Sequence, residues 1–138
     1  MSPRHTSDTS DANPHARCRA IGAVLDVIAD KWTIMVVRAL ANGPVRFNQM
    51  KRRIGGVSQR MLTLTLRNME RDGLVTRTIF PTMPPRVDYE LTPLGHALIK
   101  PLTALAAWAE AHLPEVENAR RVHTQKRVSG SPTTSAKV

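Results

Sequence analysis

The sequence predicts a mainly α-helical domain that carries one small β-hairpin. Between Cys18 and Pro114, apolar residues recur at helical spacing in several segments. One of these segments has a basic face and ends at Gly73. Directly after Gly73 the chain changes to β-branched and aromatic residues, which are typical of strands.

Three helices are predicted before residue 56. The first is short, ends near Asp30 and has one apolar face formed by Ile21, Val24, Leu25 and Ile28. The second is apolar enough to be a central buried helix, and it ends at Asn42, Gly43 and Pro44. Its apolar stripe consists of Trp32, Met35, Val36, Ala39 and Leu40. The third is a short amphipathic helix from Arg46 to Ile54.

The fourth helix is the most informative. Ser58 is a suitable N-cap, and the helix is expected to run to Asp72 with Gly73 as its terminator. One side should pack on the protein: Met61, Leu62, Thr65, Leu66 and Met69. The opposite side presents long hydrogen-bond donors: Gln59, Arg60, Thr63, Arg67 and Arg71. Leu64 lies near this basic face, where it could contact a thymine methyl group or a neighbouring element.

A β-hairpin and a last helix follow. The strands are LVTRTIF and RVDYELT, joined by the Pro-rich tip PTMPP. Thr92 then caps a helix that begins at Pro93 and extends to Leu113, with a kink expected at Pro101.

Length and charge limit the class of protein. A chain of 138 residues predicts a single domain, and a net charge of +9 with a pI of about 11.0 indicates polyanionic partners. The region from Arg46 to Arg86 carries nine basic and two acidic residues, a net charge of +7. No segment is apolar enough to span a membrane or to act as a secretory signal, and a lone cysteine excludes a disulfide framework, so a cytoplasmic protein is expected.

The two ends are predicted to be tails outside a domain of residues 18–115. Residues 1–17 and 116–138 are rich in Ser, Thr, Pro and charge and lack apolar periodicity, which favours disorder. The C-terminal tail has a net charge of +4 and would be either solvated or in nonspecific contact with phosphates.

The basic helix and the hairpin together predict binding to double-stranded DNA. Arg60 and Arg67 can offer paired donors to guanine, and Gln59 can pair with adenine. Ser58 and Thr63 are short donors suited to phosphates or base edges. Arg86, beside the hairpin tip, suits a phosphate or the narrow minor groove.

Other functional classes lack their sequence signals. There is no Gly-rich phosphate loop, nucleophile elbow or apolar carboxylate pair, so no enzyme is predicted. The five histidines show no ligand spacing with Cys or carboxylates, and neither a metal nor a cofactor is expected. The alternatives that remain are a protein interaction module and a nucleic-acid-binding protein without operator specificity.

Four pieces of the chain resemble the HxlR-type family of bacterial winged helix-turn-helix transcriptional regulators, relatives of the MarR type. They are Lys31-Trp32, Gly43-Pro44 with Arg46-Phe47, the segment SQRMLT running to Asp72-Gly73-Leu74-Val75, and PPRVDYELTPLG from Pro84 to Gly95. The pieces lie between about Cys18 and Leu113, so the resemblance does not extend to the tails.

This resemblance implies a homodimer on an inverted-repeat operator, with N- and C-terminal dimerisation helices. Ser58, Gln59, Arg60 and Thr63 take the recognition-helix positions, and Arg86 takes the wing position. The apolar side of the last helix is larger than a small monomer easily covers, which also favours pairing with the first helix of a second copy. The residues expected at the interface are Val24, Leu25, Leu98, Leu102, Leu105 and Ala109.

Cys18 lies where many family members carry a cysteine before the first helix, and in a subset of them this thiol senses oxidants or electrophiles. Arg17, Arg19 and the start of a following helix would favour the reactive thiolate form. Arg19, however, stands where the family usually has proline. The two interpretations are a redox sensor and an unreactive thiol.

Overall fold

The computed structural model describes the backbone of residues 13–137 and the side chains of residues 13–128. Within this range the elements are α1 (Pro14–Ile28), α2 (Lys31–Ala39), β1 (Val45–Arg46), α3 (Phe47–Ile54), α4 (Gln59–Arg71), β2 (Val75–Phe80), β3 (Arg86–Leu91), α5 (Pro93–His96) and α6 (Ile99–Lys137). Helices thus dominate and the strands form one small antiparallel sheet, which confirms the predicted fold class.

The described residues form two compact units, divided between Ile99 and Lys100. In the first unit, α2 contacts both α3 and α4, and the core lies among these three helices. Its largest fully buried side chains include Leu40, Met50, Leu62 and Met69. The predicted central role of α2 is confirmed by its buried residues Thr33, Val36 and Val37.

The sheet has three strands in the order β1-β3-β2, one more than the predicted hairpin. Val45 pairs with Tyr89 and Arg46 pairs with Asp88, both antiparallel. The sequence placed Arg46 in the third helix, which begins only at Phe47. Two residues are too short for strand alternation to be recognised, so β1 is defined only by its pairing with β3.

Hydrogen bonds of Thr92 connect the end of the hairpin to the end of α4. The Thr92 hydroxyl donates to the Gly73 carbonyl oxygen at 2.6 Å and accepts from the Gly95 backbone N–H at 3.0 Å. The predicted cap at Thr92 is therefore confirmed. A Cβ atom at residue 95 would collide with the Leu74 carbonyl oxygen, so this close approach requires glycine.

The first helix begins earlier than predicted. The Asn13 side chain accepts from the Ala16 N–H at 3.1 Å, and Pro14 occupies the first helical position, where its missing N–H costs nothing. The expected tail over residues 1–17 is therefore wrong for residues 14–17, which are helical. Its remaining residues, up to 12, lie outside the described residues.

The last predicted helix is two helices. A turn at residues 97–98 separates the two helices. Pro101 lies in the first turn of α6 instead of kinking a continuous helix. Proline is tolerated there because the first N–H groups of a helix have no intrahelical partner.

Helix α6 also continues to Lys137, so the prediction of an irregular segment from residue 116 is wrong for the described backbone. The segment after Pro114 is rich in Glu, Ala, Arg, Gln and Lys, which are strong helix formers. The absence of an apolar stripe obscured this propensity in the sequence.

Candidate nucleic-acid interface

Helix α4 is held at both ends by local hydrogen bonds. The Ser58 hydroxyl accepts from the Met61 N–H at 3.0 Å, as predicted for an N-cap. At the other end Gly73 adopts a φ of +77°, and the Leu74 N–H donates to the Met69 carbonyl at 2.8 Å. This left-handed glycine confirms the predicted terminator and sets the direction in which the chain enters β2.

One side of α4 packs in the core. Leu62 and Met69 are completely buried and Leu66 is 1% exposed. Thr65 is also buried, and its hydroxyl donates to the Met61 carbonyl at 2.9 Å, so it leaves no unsatisfied polar group. Met61, predicted to pack, is instead 39% exposed.

The opposite side of α4 presents polar side chains to solvent. Gln59, Arg60 and Arg67 are exposed and Thr63 is half-buried. Leu64 is 46% exposed on this side of the helix, in agreement with its predicted position. The helix therefore separates a packed face from a face that can reach a ligand.

The arginines of α4 differ in their partners. Arg60 and Arg67 form no ion pair with any residue whose side chain is described. Arg71, in contrast, bonds Asp72 with its Nε 2.9 Å from Oδ1. This hydrogen bond lowers the pKa of Asp72 below its ordinary value. Arg60 and Arg67 are thus the arginines of this helix whose guanidinium groups remain available to an external acceptor.

Strands β2 and β3 form a hairpin in which Arg86 is held by its neighbours. The Arg86 Nε and Nη2 atoms lie 3.0 and 2.9 Å from the two carboxylate oxygens of Asp88. The guanidinium also lies over the Phe80 ring, 4.7 Å from its centroid. These hydrogen bonds lower the pKa of Asp88, and Arg46 adds a smaller effect in the same direction.

A second ion pair connects the hairpin to α4. The Arg77 Nε of β2 lies 3.7 Å from a carboxylate oxygen of Glu70. Beside it, burial raises the pKa of Tyr89, whose ring lies 6.4 Å from that of Phe47. The hairpin therefore contacts both α4 and α3.

A groove of about 930 Å³ lies between α3, the start of α4 and the hairpin. It is lined by Arg46, Phe47, Asn48, Gln49, Arg52, Gln59, Thr63, Arg77, Thr82, Met83, Pro84, Pro85, Arg86, Val87 and Tyr89. Four arginines and no carboxylate are among these residues, so the lining suits an anionic ligand.

The groove brings together three of the predicted site residues, Gln59, Thr63 and Arg86. Ser58, Arg60 and Arg67 lie on α4 or its cap but do not line it. Sequence reasoning did not single out the other three arginines of the lining, Arg46, Arg52 and Arg77. Their only sequence signal was the dense positive charge between Arg46 and Arg86.

Cys18 lies within α1 and is exposed. The sequence placed it before the first helix, so the expected influence of a following helix start is wrong. The helix begins four residues earlier because Asn13 and Pro14 supply a cap and a first position.

The residues predicted for a dimer interface divide by exposure. Val24, Leu25 and Leu105 are 54%, 49% and 51% exposed, and Ala109 is exposed as well. Leu98 is half-buried. Leu102 is only 5% exposed within one copy. The interface itself stays a prediction for all six residues.

Two kinds of feature are absent from the described residues. No group of three or more His, Cys, Asp or Glu residues in this part of the chain could hold a metal ion. None of its helices combines the length and the apolar character that crossing a membrane requires.

Known proteins resemble this chain in both sequence and structure. The HTH-type transcriptional regulator YtfH of Escherichia coli is 43% identical over 93 residues, which are 67% of this chain and 74% of that protein. The structure of a transcriptional regulator ytfH from Salmonella typhimurium is similar with a TM-score of 0.67 and 39% identity, covering 72% of this chain and 88% of that one. The redox regulator HypR in its reduced form gives a TM-score of 0.64 and 35% identity over 72% of this chain and 98% of that one.

The family model described as HxlR-like helix-turn-helix matches residues 27–117. These residues span the helix α4, the hairpin and their supporting helices, and the relatives above carry the name of transcriptional regulators. The chain belongs to the HxlR-like family of helix-turn-helix transcriptional regulators.

Proposed function

We propose that the protein is a cytoplasmic transcriptional regulator that binds double-stranded DNA with sequence specificity, as a homodimer on an inverted repeat. The observation that carries the proposal is the exposed face of α4. Gln59, Arg60 and Arg67 face solvent there, while the opposite face is fixed in the core. A rigid helix with unpaired donors is what base recognition in a major groove requires.

Each donor suits a different acceptor on the duplex. Arg60 and Arg67 can bond guanine N7 and O6 in pairs, and Gln59 can bond adenine N6 and N7. Ser58 and Thr63 can donate to phosphates or base edges, although the Ser58 hydroxyl also caps the helix. Arg86, held on the hairpin by Asp88, suits the phosphate backbone or the minor groove.

The homodimer is supported by exposed apolar residues on α1 and α6. On α1, Ile21, Val24 and Leu25 are each about half exposed. On α6 the same holds for Leu105 and Trp108. Two-fold pairing of such surfaces would remove them from water and place two copies of α4 at successive half-sites of an inverted repeat.

The central experiment is the selection of bound duplexes from a random pool by the purified protein. The expected result is enrichment of an inverted repeat whose half-sites are about one helical turn apart. Binding to the selected duplex should exceed binding to random DNA and should weaken steeply with salt. Equal binding to all duplexes would instead indicate a nonspecific nucleic-acid-binding protein, and no duplex binding would indicate a protein interaction module.

The dimer has its own test. Leu105→Asp should give monomers by sedimentation and weak binding to single half-sites, because a charge would replace an exposed apolar side chain in the interface. For sedimentation, Val122→Asp is the matched control, since Val122 has a similar exposure on the same helix but lies outside the predicted interface. A stable dimer of Leu105→Asp would contradict the proposed interface.

We also propose that Cys18 senses oxidants. Two observations support this role: the thiol is exposed between Arg17 and Arg19, and the similar protein HypR is described as a redox regulator. On α1, Cys18 lies on the same face as Ile21 and Leu25, so pairing of these faces would bring it near a second copy. An added oxidant would accept two electrons and two protons from two Cys18 thiols as an intermolecular disulfide forms.

The measurement is operator affinity and non-reducing electrophoresis with and without diamide. Wild type should form a covalent dimer and change its affinity, and Cys18→Ser should do neither. Equal DNA binding by both proteins under oxidant and reductant would exclude the sensing role.

A further inference from the structure

One face of helix α6 changes from apolar to basic residues along its length. Positions that alternate by four and three residues from Leu102 lie on one side of a helix. They are first apolar, Leu102, Ala106, Ala109, Leu113 and Val116, and then Arg120, His123 and Arg127. The same face therefore passes from apolar to basic after Val116.

The basic part lies beyond the family match, which ends at residue 117. From residue 117 to residue 128 the chain carries four Lys and Arg residues against Glu117 alone. All of these side chains are exposed. Arg121 is also oriented by a hydrogen bond from its Nη2 to the Asn118 Oδ1 atom at 3.3 Å. We call residues 117–128 the basic extension.

We propose that the basic extension is a second DNA-binding surface, which contacts the phosphate backbone without reading sequence. This inference rests on the proposed function, because the duplex bound by α4 supplies the phosphates. Complementary charge supports this proposal: a regular helix places Arg120 and Arg127 on one side, about two turns apart, and guanidinium donors spaced in this way suit a line of phosphates.

Two other occupants fit the basic extension less well. An anionic membrane surface requires a helix with a continuous apolar face, whereas the apolar residues here, Val122 and Val128, lie on different sides. Self-association centred on this segment would set Arg120 and Arg127 of one copy against the same residues of the other, and like charges repel. Duplex DNA requires only the positive charge.

The test is the salt dependence of binding by the full chain. The variant Arg120→Ala, Arg121→Ala and Arg127→Ala removes three charges and keeps strong helix formers. The matched control, Arg17→Ala, Arg19→Ala and Lys100→Ala, removes three exposed charges elsewhere. Both are compared with wild type under reducing conditions, on the selected operator extended by about ten base pairs on each side and on a random duplex of equal length.

The extension variant should show a slope of log affinity against log salt that is shallower by about 2 to 3 for each subunit of the dimer, because each phosphate contact contributes about 0.9. The loss of affinity should be equal on operator and random DNA, so the specificity ratio should stay constant. The control should keep nearly the wild-type slope. A third variant, Arg120→Lys, Arg121→Lys and Arg127→Lys, should recover the slope, which separates lost charge from disturbed structure.

Three results would overturn the inference. One is an extension variant with the same slope as the control. Another is a change in the specificity ratio, which would indicate base recognition. The third is binding of wild type to phosphatidylserine vesicles that disappears in the variant while its DNA slope is unchanged. Failure of the proposed function is distinct, because wild type would then show no preference for any duplex.

Discussion

Helix α4 and the hairpin both contribute arginines to the proposed DNA-binding surface, but these arginines differ in their carboxylate partners. On α4, Arg60 and Arg67 have no carboxylate partner among the described side chains. On the hairpin, Arg86 is bound to Asp88 and Arg77 to Glu70. An unpaired guanidinium on a rigid helix keeps its donors for a base, whereas a paired one has a fixed position and a partly neutralised charge. We therefore expect α4 to recognise the base sequence and the hairpin to fix the position of the duplex.

The largest expected effect comes from removing the support beneath α4. Leu62→Ala should lower the free energy of unfolding by about 2 to 5 kcal/mol, because Leu62 is completely buried and the mutation leaves a cavity. Denaturant titration measures this loss. Leu64→Ala is the control on the same helix: Leu64 is 46% exposed, and its substitution should cost no more than about 0.5 kcal/mol. Equal losses would mean that α4 does not pack as described.

The next effect tests base recognition by α4. Arg60→Ala should remove about 1 to 3 kcal/mol of binding to the selected operator and relax the preference at one base position. Competition with random duplex measures it, and random binding should change much less. Arg71→Ala is the control, because the Arg71 guanidinium is already bonded to Asp72. Unchanged operator binding by Arg60→Ala would refute the assignment of α4 as the recognition helix.

A smaller effect is expected on the hairpin. Arg86→Ala should weaken binding to operator and random DNA by the same factor, about two- to tenfold, and reduce the salt slope by about 1 for each subunit of the dimer. Asp88→Asn keeps the Arg86 charge but frees it from its carboxylate. Glu90→Gln is the control, because it neutralises a carboxylate of β3 that is exposed. A loss of specificity in Arg86→Ala would remove the distinction between the two regions.

The smallest effect concerns pH. Because Arg86 lowers the pKa of Asp88 in the folded state, their contribution to stability is complete above the ordinary aspartate pKa of about 3.9 and is lost as the pH falls through the lowered value. The stability difference between wild type and Arg86→Ala should thus be constant from about pH 5 to 8 and should shrink below about pH 4. A carboxyl NMR titration should show the Asp88 pKa returning toward its ordinary value in Arg86→Ala. An unchanged pKa would mean that the pair does not persist in solution.

The elements that could be predicted from the sequence are those set by local interactions. Ser58 caps α4 and Gly73 ends it through contacts within a few residues, so both are visible in the sequence. The two faces of α4 follow from helical phase alone. Thr92 as a cap was visible for the same reason.

The features that could not be predicted depend on distant partners. β1 exists because Val45 pairs with Tyr89, far along the chain. Arg77 lines the groove because of the position of β2 in the folded chain. Arg86 is bound to Asp88, two residues away on the same strand. The extension of α6 beyond Pro114 was missed for another reason: helix propensity without an apolar stripe gives no periodic signal.

The Thr92 hydrogen bonds have a consequence for the helix that we propose enters the duplex. Because Thr92 bonds both Gly73 and Gly95, the base of the hairpin is joined to the end of α4 within the protein itself. The major groove of B-form DNA is about 12 Å wide and admits a helix. The major groove of A-form RNA is deep and narrow and cannot admit it. The Thr92 side chain thus holds the base of the hairpin at the end of α4, the helix that we propose enters the major groove of DNA.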